Sequence, residues 1–302
     1  MMEYNVLKVI LIGSVSFSNT MYLSLKDTGY IAGVISTRNS SLNSDYYDIC
    51  AQASKDGIPY YYTDDINDMN TLHWINKIQP DVIYCFGWSR LIKRNLLESA
   101  RLGVVGYHPA ALPLNRGRHP IIWALVLGLS STASTFFFMD EGADSGDILS
   151  QIKVDIPFNY NALDLYEKLA EVASSQVLQL TEKLKDGKYV RIKQDHSVAT
   201  YWRKRKKEDG KIDFRMTPES IYNLTRALYK PYPGAYCNYK SKEFIVWKTE
   251  IANMHTDINI EPGKILAVNN NEIYVKCNSI NNIIKITEHN LDQIPEVGSY
   301  IS

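Results

Sequence analysis

Between Val6 and Tyr107, short apolar runs alternate with stretches of helical periodicity, and no other feature of the chain restricts its fold as much. Val6 to Ile12, Ile31 to Ser36, Pro59 to Tyr62, Asp81 to Phe86 and Val104 to Tyr107 read as strands. Helices are expected between them over Ser18 to Asp27, from about Asp45 to Lys55 with a stop at Gly57, near Asn70 to Ile78 and near Asn95 to Ala100. Such repetition is the pattern of βαβ units, whose crossovers lay successive strands parallel. The expected class is therefore α/β, a Rossmann-like, parallel-rich sheet with helices on both faces.

Further along, Pro120 to Leu127 reads as a short helix with proline near its start, Ser134 to Met139 and Asp147 to Val154 as strands, and Ala162 to Lys185 as a long amphipathic helix. From Tyr201 the character changes. YWRKRKKEDGK is polar and charged and reads as a solvated linker. Beyond it come one helix near Pro218 to Leu228 and the runs KEFIVWK, GKILAV, NEIYVKC and NIIKIT, at the spacing of a small barrel. The boundary is placed near residue 205, with a larger α/β domain over 1–205 and a small OB-like β-barrel over 206–302.

Composition narrows the partners. The 33 basic side chains balance 33 acidic ones, so neither nucleic acid nor an anionic membrane is an expected partner, and a small molecule is. Cys50, Cys85, Cys237 and Cys277 form no C-x-x-C pair and are expected as reduced core residues of a cytoplasmic protein. VLKVILIG lacks a basic flank and a small-residue cleavage pattern, which makes it a buried strand rather than a signal peptide.

In open parallel sheets, ligands bind beyond the carboxyl ends of the strands. Three loops qualify: GSVSFS, which contains Ser14, then FGWSRL, then GYHPAALPLNRGRHPIIW over residues 106–123. Gly13 is the sole glycine of the first, so the dinucleotide fingerprint is absent and a nicotinamide dehydrogenase is not expected. In the third, Pro109 restricts the backbone of His108, which is either a hydrogen-bonded structural residue or a proton-transfer group. Asp144 is the carboxylate candidate to orient it. Arg116 and Arg118 flank Gly117 and read either as phosphate or carboxylate ligands or as a buried clamp. Trp123 reads as core, while Asp140 and Glu141 form either a solvated acidic turn or a polar ligand contact.

Taken together, HPAALP, RGR, the following proline and tryptophan, and MDEGADSGDI resemble the 10-formyltetrahydrofolate-dependent formyltransferases. That family's signature is N-x-H-x-S-L-L-P, an arginine-glycine turn, and an aspartate about 36 residues after the histidine; here His108 and Asp144 are 36 positions apart. RKRKKEDGKIDF, RALYKPYPGA and FIVW look like the linker and C-terminal barrel of the two-domain members, and the last two are especially similar to the module that formylates UDP-4-amino-4-deoxy-arabinose. The resemblance implies transfer of a formyl group from 10-formyltetrahydrofolate to an amine, with His108 and Asp144 handling proton transfer and polarisation. It further implies that backbone at Phe86, Gly87 and Trp88 and at Asp140, Glu141 and Gly142 reads the pterin, with Ile92 and Leu112 lining its slot.

Two positions depart from the signature. Gly106 replaces the asparagine that donates to the oxyanion, and Ala110 replaces the serine. Losing one such donor costs on the order of 10²- to 10³-fold in rate. A substitute is expected from the backbone N–H at the glycine, from protonated His108, from Asn115 or from His119. For the acceptor, the resemblance points to a nucleotide-activated amino sugar, a UDP- or dTDP-4-amino-4,6-dideoxy sugar of surface glycan synthesis. Ser14, Asn115, Arg116, Arg118, His119, Arg205 and Tyr229 are the expected substrate contacts, with Lys230 a further cation for a diphosphate and Trp88, Tyr201 and Trp202 as stacking surfaces. A homodimer is compatible with this plan. Two readings compete: a methionyl-tRNA formyltransferase, which the basic run Arg203 to Lys207 favours and the loop TRNSSLNSD, which is not basic, does not, and a folate- or nucleotide-binding module that has lost transfer activity.

Overall fold

The computed structural model describes residues 6–39, 45–88 and 90–302; residues 40–44 of the TRNSSLNSD loop and Ser89 of FGWSRL lie outside them. In chain order the elements are β1 (Val9–Ile12), α1 (Ser16–Leu25), β2 (Ile31–Ser36), α2 (Ile49–Lys55), β3 (Tyr60–Tyr62), α3 (Met69–Ile78), β4 (Val82–Cys85), α4 (Arg94–Leu97), β5 (Val104–His108), β6 (Arg116–Gly117) and α5 (Pro120–Val126). They continue with β7 (Ser131–Phe138), β8 (Ile148–Asp155), α6 (Ala162–Lys185), β9 (Tyr201–Trp202), α7 (Pro218–Ala227), β10 (Ala235–Tyr239), β11 (Lys242–Asn253), β12 (Ile265–Asn269), β13 (Glu272–Val275) and β14 (Asn282–His289). The chain divides into two compact units, one of Met1–Gly117, Thr132–Val154 and Glu167–Trp202, the other of Arg118–Ser131, Asp155–Tyr166 and Arg203–Ser302.

A seven-stranded sheet in the order β3-β2-β1-β4-β5-β7-β8 organises the first unit. β1 pairs parallel with β2 and β4, and β4 with β5, whereas β7 runs antiparallel to β5. Every residue of β1 and β4 is buried, because a sheet covered on both faces has no solvent side to alternate with. Ile10, Ile12, Ile35, Ile75, Ile83 and Leu96 form one apolar cluster there. Side-chain caps fix where helices begin. Asp48 accepts the N–H of Ala51 at 3.0 Å, so α2 starts at Ile49 rather than Asp45; Asp68 does the same for α3, accepting from Asn70 and Thr71. α4 is a single turn, shorter than the expected helix.

In the second unit a five-stranded antiparallel sheet has the order β10-β11-β14-β13-β12. The last residues join its two edges: Ile301 bridges Tyr239 on β10, and Tyr300 bridges Lys264 beside β12. Asn238 and Ser302 exchange backbone hydrogen bonds at 2.6 and 2.9 Å. Both open edges are thereby paired, which closes the sheet into the expected small barrel. Burial pushes the thiols of Cys50 and Cys85 up to about 12, and all four cysteines are buried and unpaired. Among the described residues no helix is long and apolar enough to cross a membrane.

The linker reading of YWRKRKKEDGK needs correction at its start. Tyr201 and Trp202 form β9, which pairs parallel with β6. Gly117 makes that pairing feasible: it holds φ +103°, and a Cβ there would lie 2.3 Å from the carbonyl oxygen of Trp202.

Candidate active site

Strand order reverses direction between β1 and β4, and the loops after these strands interlock. A Cβ on Gly13 would lie 2.3 Å from the carbonyl oxygen of Phe86, which accepts a hydrogen bond from Ser18 Oγ at 2.6 Å. Gly87 holds φ +70°, and a Cβ there would meet Val15 Cγ2 at 2.1 Å and Ser18 Oγ at 2.9 Å. Trp88 packs on the apolar cluster that contains buried Ile92, and its indole N–H is buried without a hydrogen-bond partner. Ser14 is buried, and its carbonyl accepts the N–H of Tyr47 at 3.0 Å.

His108 ends β5 and is 4% exposed. Its Nε2 lies 2.7 Å from the carbonyl oxygen of Asn115. A carbonyl only accepts, so Nε2 carries the hydrogen, and in the neutral ring Nδ1 holds the lone pair. Nδ1 is 3.6 Å from Asp144 Oδ2. The same oxygen accepts the N–H of Gly117 at 2.8 Å, so the carboxylate is anchored without donating anything to the imidazole. Asn115 and Asp144 both adopt left-handed backbone, φ +63° and +52°, a conformation that asparagine and aspartate tolerate better than most side chains.

Arg116 corrects one expectation. It is 1% exposed, and its guanidinium donates to Gln194 Oε1 at 2.7 and 3.2 Å, to Tyr201 Oη at 2.8 Å and to His196 Nδ1 at 3.2 Å. Rather than facing a ligand it is a buried clamp, and its partners are side chains instead of loop carbonyls. Gln194 completes the clamp by donating to the carbonyls of Asp144 and Gly146 at 2.9 and 2.6 Å. No motif singles out Gln194 or Thr200 in the sequence. Thr200 Oγ1 accepts the N–H of Asn115 at 2.8 Å, and its carbonyl accepts that of Arg116 at 2.9 Å.

At Gly106 the place of a side chain is already filled. A Cβ would lie 2.9 Å from Met139 Cγ and 3.1 Å from two ring carbons of Phe137, which stands directly across the β5–β7 ladder. Phe137 and Ile148 form a small apolar cluster with buried Leu112, and Met139 packs against it. Asp140 Oδ1 accepts from the N–H of Gly142 at 3.0 Å and from Ser145 Oγ at 2.6 Å, shaping an exposed turn that includes Glu141.

The remaining candidates belong to the second unit. His119 precedes α5 in left-handed conformation, and its Nδ1 accepts the N–H of Arg205 at 3.4 Å. Burial lowers its pKa, and the positive charge of Arg118 adds to that. Arg205, expected on substrate, is instead buried: its guanidinium lies 4.8 Å from the Trp123 ring centroid and donates to the Asp209 carbonyl. Tyr229 is half-buried, and Lys230 pairs with Glu288 at 3.2 Å. Among the described residues no group of histidine, cysteine, aspartate and glutamate is arranged to hold a metal ion.

The sequence matches the formyl transferase family over residues 7–181 and the C-terminal domain of formyl transferases over residues 204–297. Several solved structures share the fold. WlaRD, described as a sugar 3N-formyl transferase in the presence of dTDP and 5-N-formyl-THF, is 18% identical over 96% of this chain and 100% of its own, with a TM-score of 0.70. An N-formyltransferase from Helicobacter canadensis, in complex with folinic acid and dTDP-3-aminofucose, is 17% identical over 94% of this chain and 100% of its own, with a TM-score of 0.72. Methionyl-tRNA formyltransferase from Clostridium thermocellum is 19% identical over 93% of this chain and 99% of its own, with a TM-score of 0.61.

Proposed function

Since this chain belongs to the formyl transferase family, we propose that it moves a formyl group from 10-formyltetrahydrofolate to the amine of a nucleotide-activated amino sugar, a UDP- or dTDP-linked 4-amino-4,6-dideoxy sugar used in surface glycan synthesis. The boundary between its two domains is proposed near residue 205.

His108 carries this reading, because its hydrogen-bond pattern leaves it one job. With Nε2–H given to Asn115, the ring takes up a proton at Nδ1 and nowhere else. An amine that attacks a formyl carbon forms a new C–N bond, drives the carbonyl electrons onto oxygen and must lose a proton. His108 accepts that proton at Nδ1, and Asp144 at 3.6 Å stabilises the imidazolium that results. The proton then returns to the departing nitrogen of the donor as the original C–N bond breaks.

The residues present suit a folate. Trp88 has an unpartnered buried N–H in the loop after β4, where Gly87 keeps the backbone free of a side chain, and Ile92 and Leu112 supply apolar surface. These residues, with the backbone of Asp140, Glu141 and Gly142, would hold the pterin; the bound donor supplies an activated formyl carbonyl. Arg118, His119 and Tyr229 keep the proposed role of nucleotide contacts.

Methionyl-tRNA as acceptor is favoured by the shared fold of the Clostridium thermocellum enzyme. Against it stands the state of the basic run. Arg203 pairs with Asp209 at 2.7 Å, Lys207 with Glu243 at 2.8 Å, and Arg205 is buried, so these cations are already committed within the chain. The test is transfer of labelled formyl from 10-formyltetrahydrofolate to methionyl-tRNA and to a panel of UDP- and dTDP-linked 3- and 4-amino sugars. Label on an amino sugar is the expected result; label on methionyl-tRNA alone overturns the acceptor, and tight folate binding with no transfer to any amine leaves only the binding-module reading.

A further inference from the structure

The oxygen that becomes negative during formyl transfer needs a hydrogen-bond donor in a site shielded from water. Gly106 brings none by side chain, and its backbone is flanked by Cys85 of β4 and Phe137 of β7. His108 spends Nε2–H on Asn115 and keeps Nδ1 for the proton of the amine. We propose that the missing donor is the side-chain amide of Asn115, acting through Nδ2. This inference rests on the formyl-transfer reading above.

Three observations converge on that residue. Its carbonyl oxygen sits 2.7 Å from the His108 ring, so its side chain springs from the residue next to the base. Thr200 fixes which end of the amide points where. Because Thr200 Oγ1 already accepts the Asn115 N–H at 2.8 Å, its own hydrogen is available for Asn115 Oδ1 at 3.3 Å. The oxygen end is thereby turned to Thr200, and the two hydrogens of Nδ2 are left for another acceptor. Finally, the left-handed backbone at φ +63° is one that asparagine adopts more readily than most residues. A half-buried amide, pre-oriented by a hydroxyl beside the proton acceptor, has the chemistry of a donor to a developing negative oxygen.

Two substitutions separate the side chain from the backbone. Asn115→Gly keeps the left-handed conformation and the carbonyl that holds His108, and removes only the amide. Asn115→Asp keeps the oxygen that faces Thr200 and replaces the donor with a negative acceptor. Turnover is measured with 10-formyltetrahydrofolate and whichever amine the wild type formylates. The expected result is a fall in kcat on the order of 10²-fold for the glycine variant, a deeper fall for the aspartate variant, and little change in KM or folate affinity for either. Thr200→Val, which removes the hydroxyl that orients the amide together with the acceptor of the Asn115 N–H, should show a fall in kcat with little change in folate affinity and serves if a variant at 115 does not fold. Wild-type kcat in all folded variants overturns the assignment while leaving formyl transfer intact; a wild type that formylates no amine overturns both.

Discussion

A glycine at position 106 looks, in the sequence, like the loss of a catalytic amide, and the cross-strand neighbours explain why the amide has no place there. Phe137 and Met139 occupy the volume it would need. Gly106→Asn should therefore overpack the β5–β7 contact, costing roughly 1–3 kcal/mol of stability, and should fail to raise kcat; urea unfolding and steady-state turnover check both halves. That explanation was not legible in the sequence, since Phe137 comes from a strand some 30 positions later, Met139 from the residue just past its end, and only register brings Phe137 opposite Gly106. That His108 and Asp144 belong together was legible only through the resemblance to the formyltransferase signature, and the structure has them 3.6 Å apart. The tautomer of His108 was not legible, because it depends on one carbonyl in a left-handed residue. The sequence leaves Arg116 open between ligand contact and clamp, and its partners at positions 194, 196 and 201 make it a clamp.

The smallest secondary elements have the largest leverage on the site. β6 and β9 pair over two residues each, yet β6 supplies the N–H that anchors Asp144, and the turn before it supplies the carbonyl that anchors His108. Gly117→Ala should disturb this unit, since the new Cβ meets the Trp202 carbonyl at 2.3 Å and the backbone holds φ +103°. The expected cost is about 1–3 kcal/mol, with a fall in kcat that exceeds any change in folate affinity; thermal unfolding and turnover measured together test it. Local periodicity read the large elements well: β2 and α6 begin and end where the sequence pattern places them. It missed β9 and β10. β9 lies in a stretch whose charge signals a connector, and its partner β6 is 85 positions away. β10, AYCNY, follows a proline- and glycine-rich turn, and its burial alternates through tyrosine and asparagine rather than through a plain apolar run.

Across the whole molecule 33 basic side chains balance 33 acidic ones, and some of these charges meet in local pairs. Arg203, Lys207, Lys230, Lys240 and Lys242 each meet a carboxylate within the second unit. Exposed pairs of this kind add little stability, but they leave fewer cations for a polyphosphate backbone than the sequence count suggests. The two family matches cover most of the chain, which is why fold and reaction class were readable from ordered motifs while the acceptor was not: acceptor choice depends on a few side chains, and Arg116 and Arg205, expected among them, are buried. In the proposed reaction His108 draws a proton from a nucleotide-sugar amine as that amine takes a formyl group. Single-turnover transfer from labelled 10-formyltetrahydrofolate to a UDP- or dTDP-amino sugar, compared between the wild type and His108→Ala at equal folate occupancy, tests it most directly. Label on the sugar with the wild type and a loss of at least about 10²-fold with the variant are the expected results; equal rates in the two proteins, or label only on methionyl-tRNA, overturn the proposed reaction.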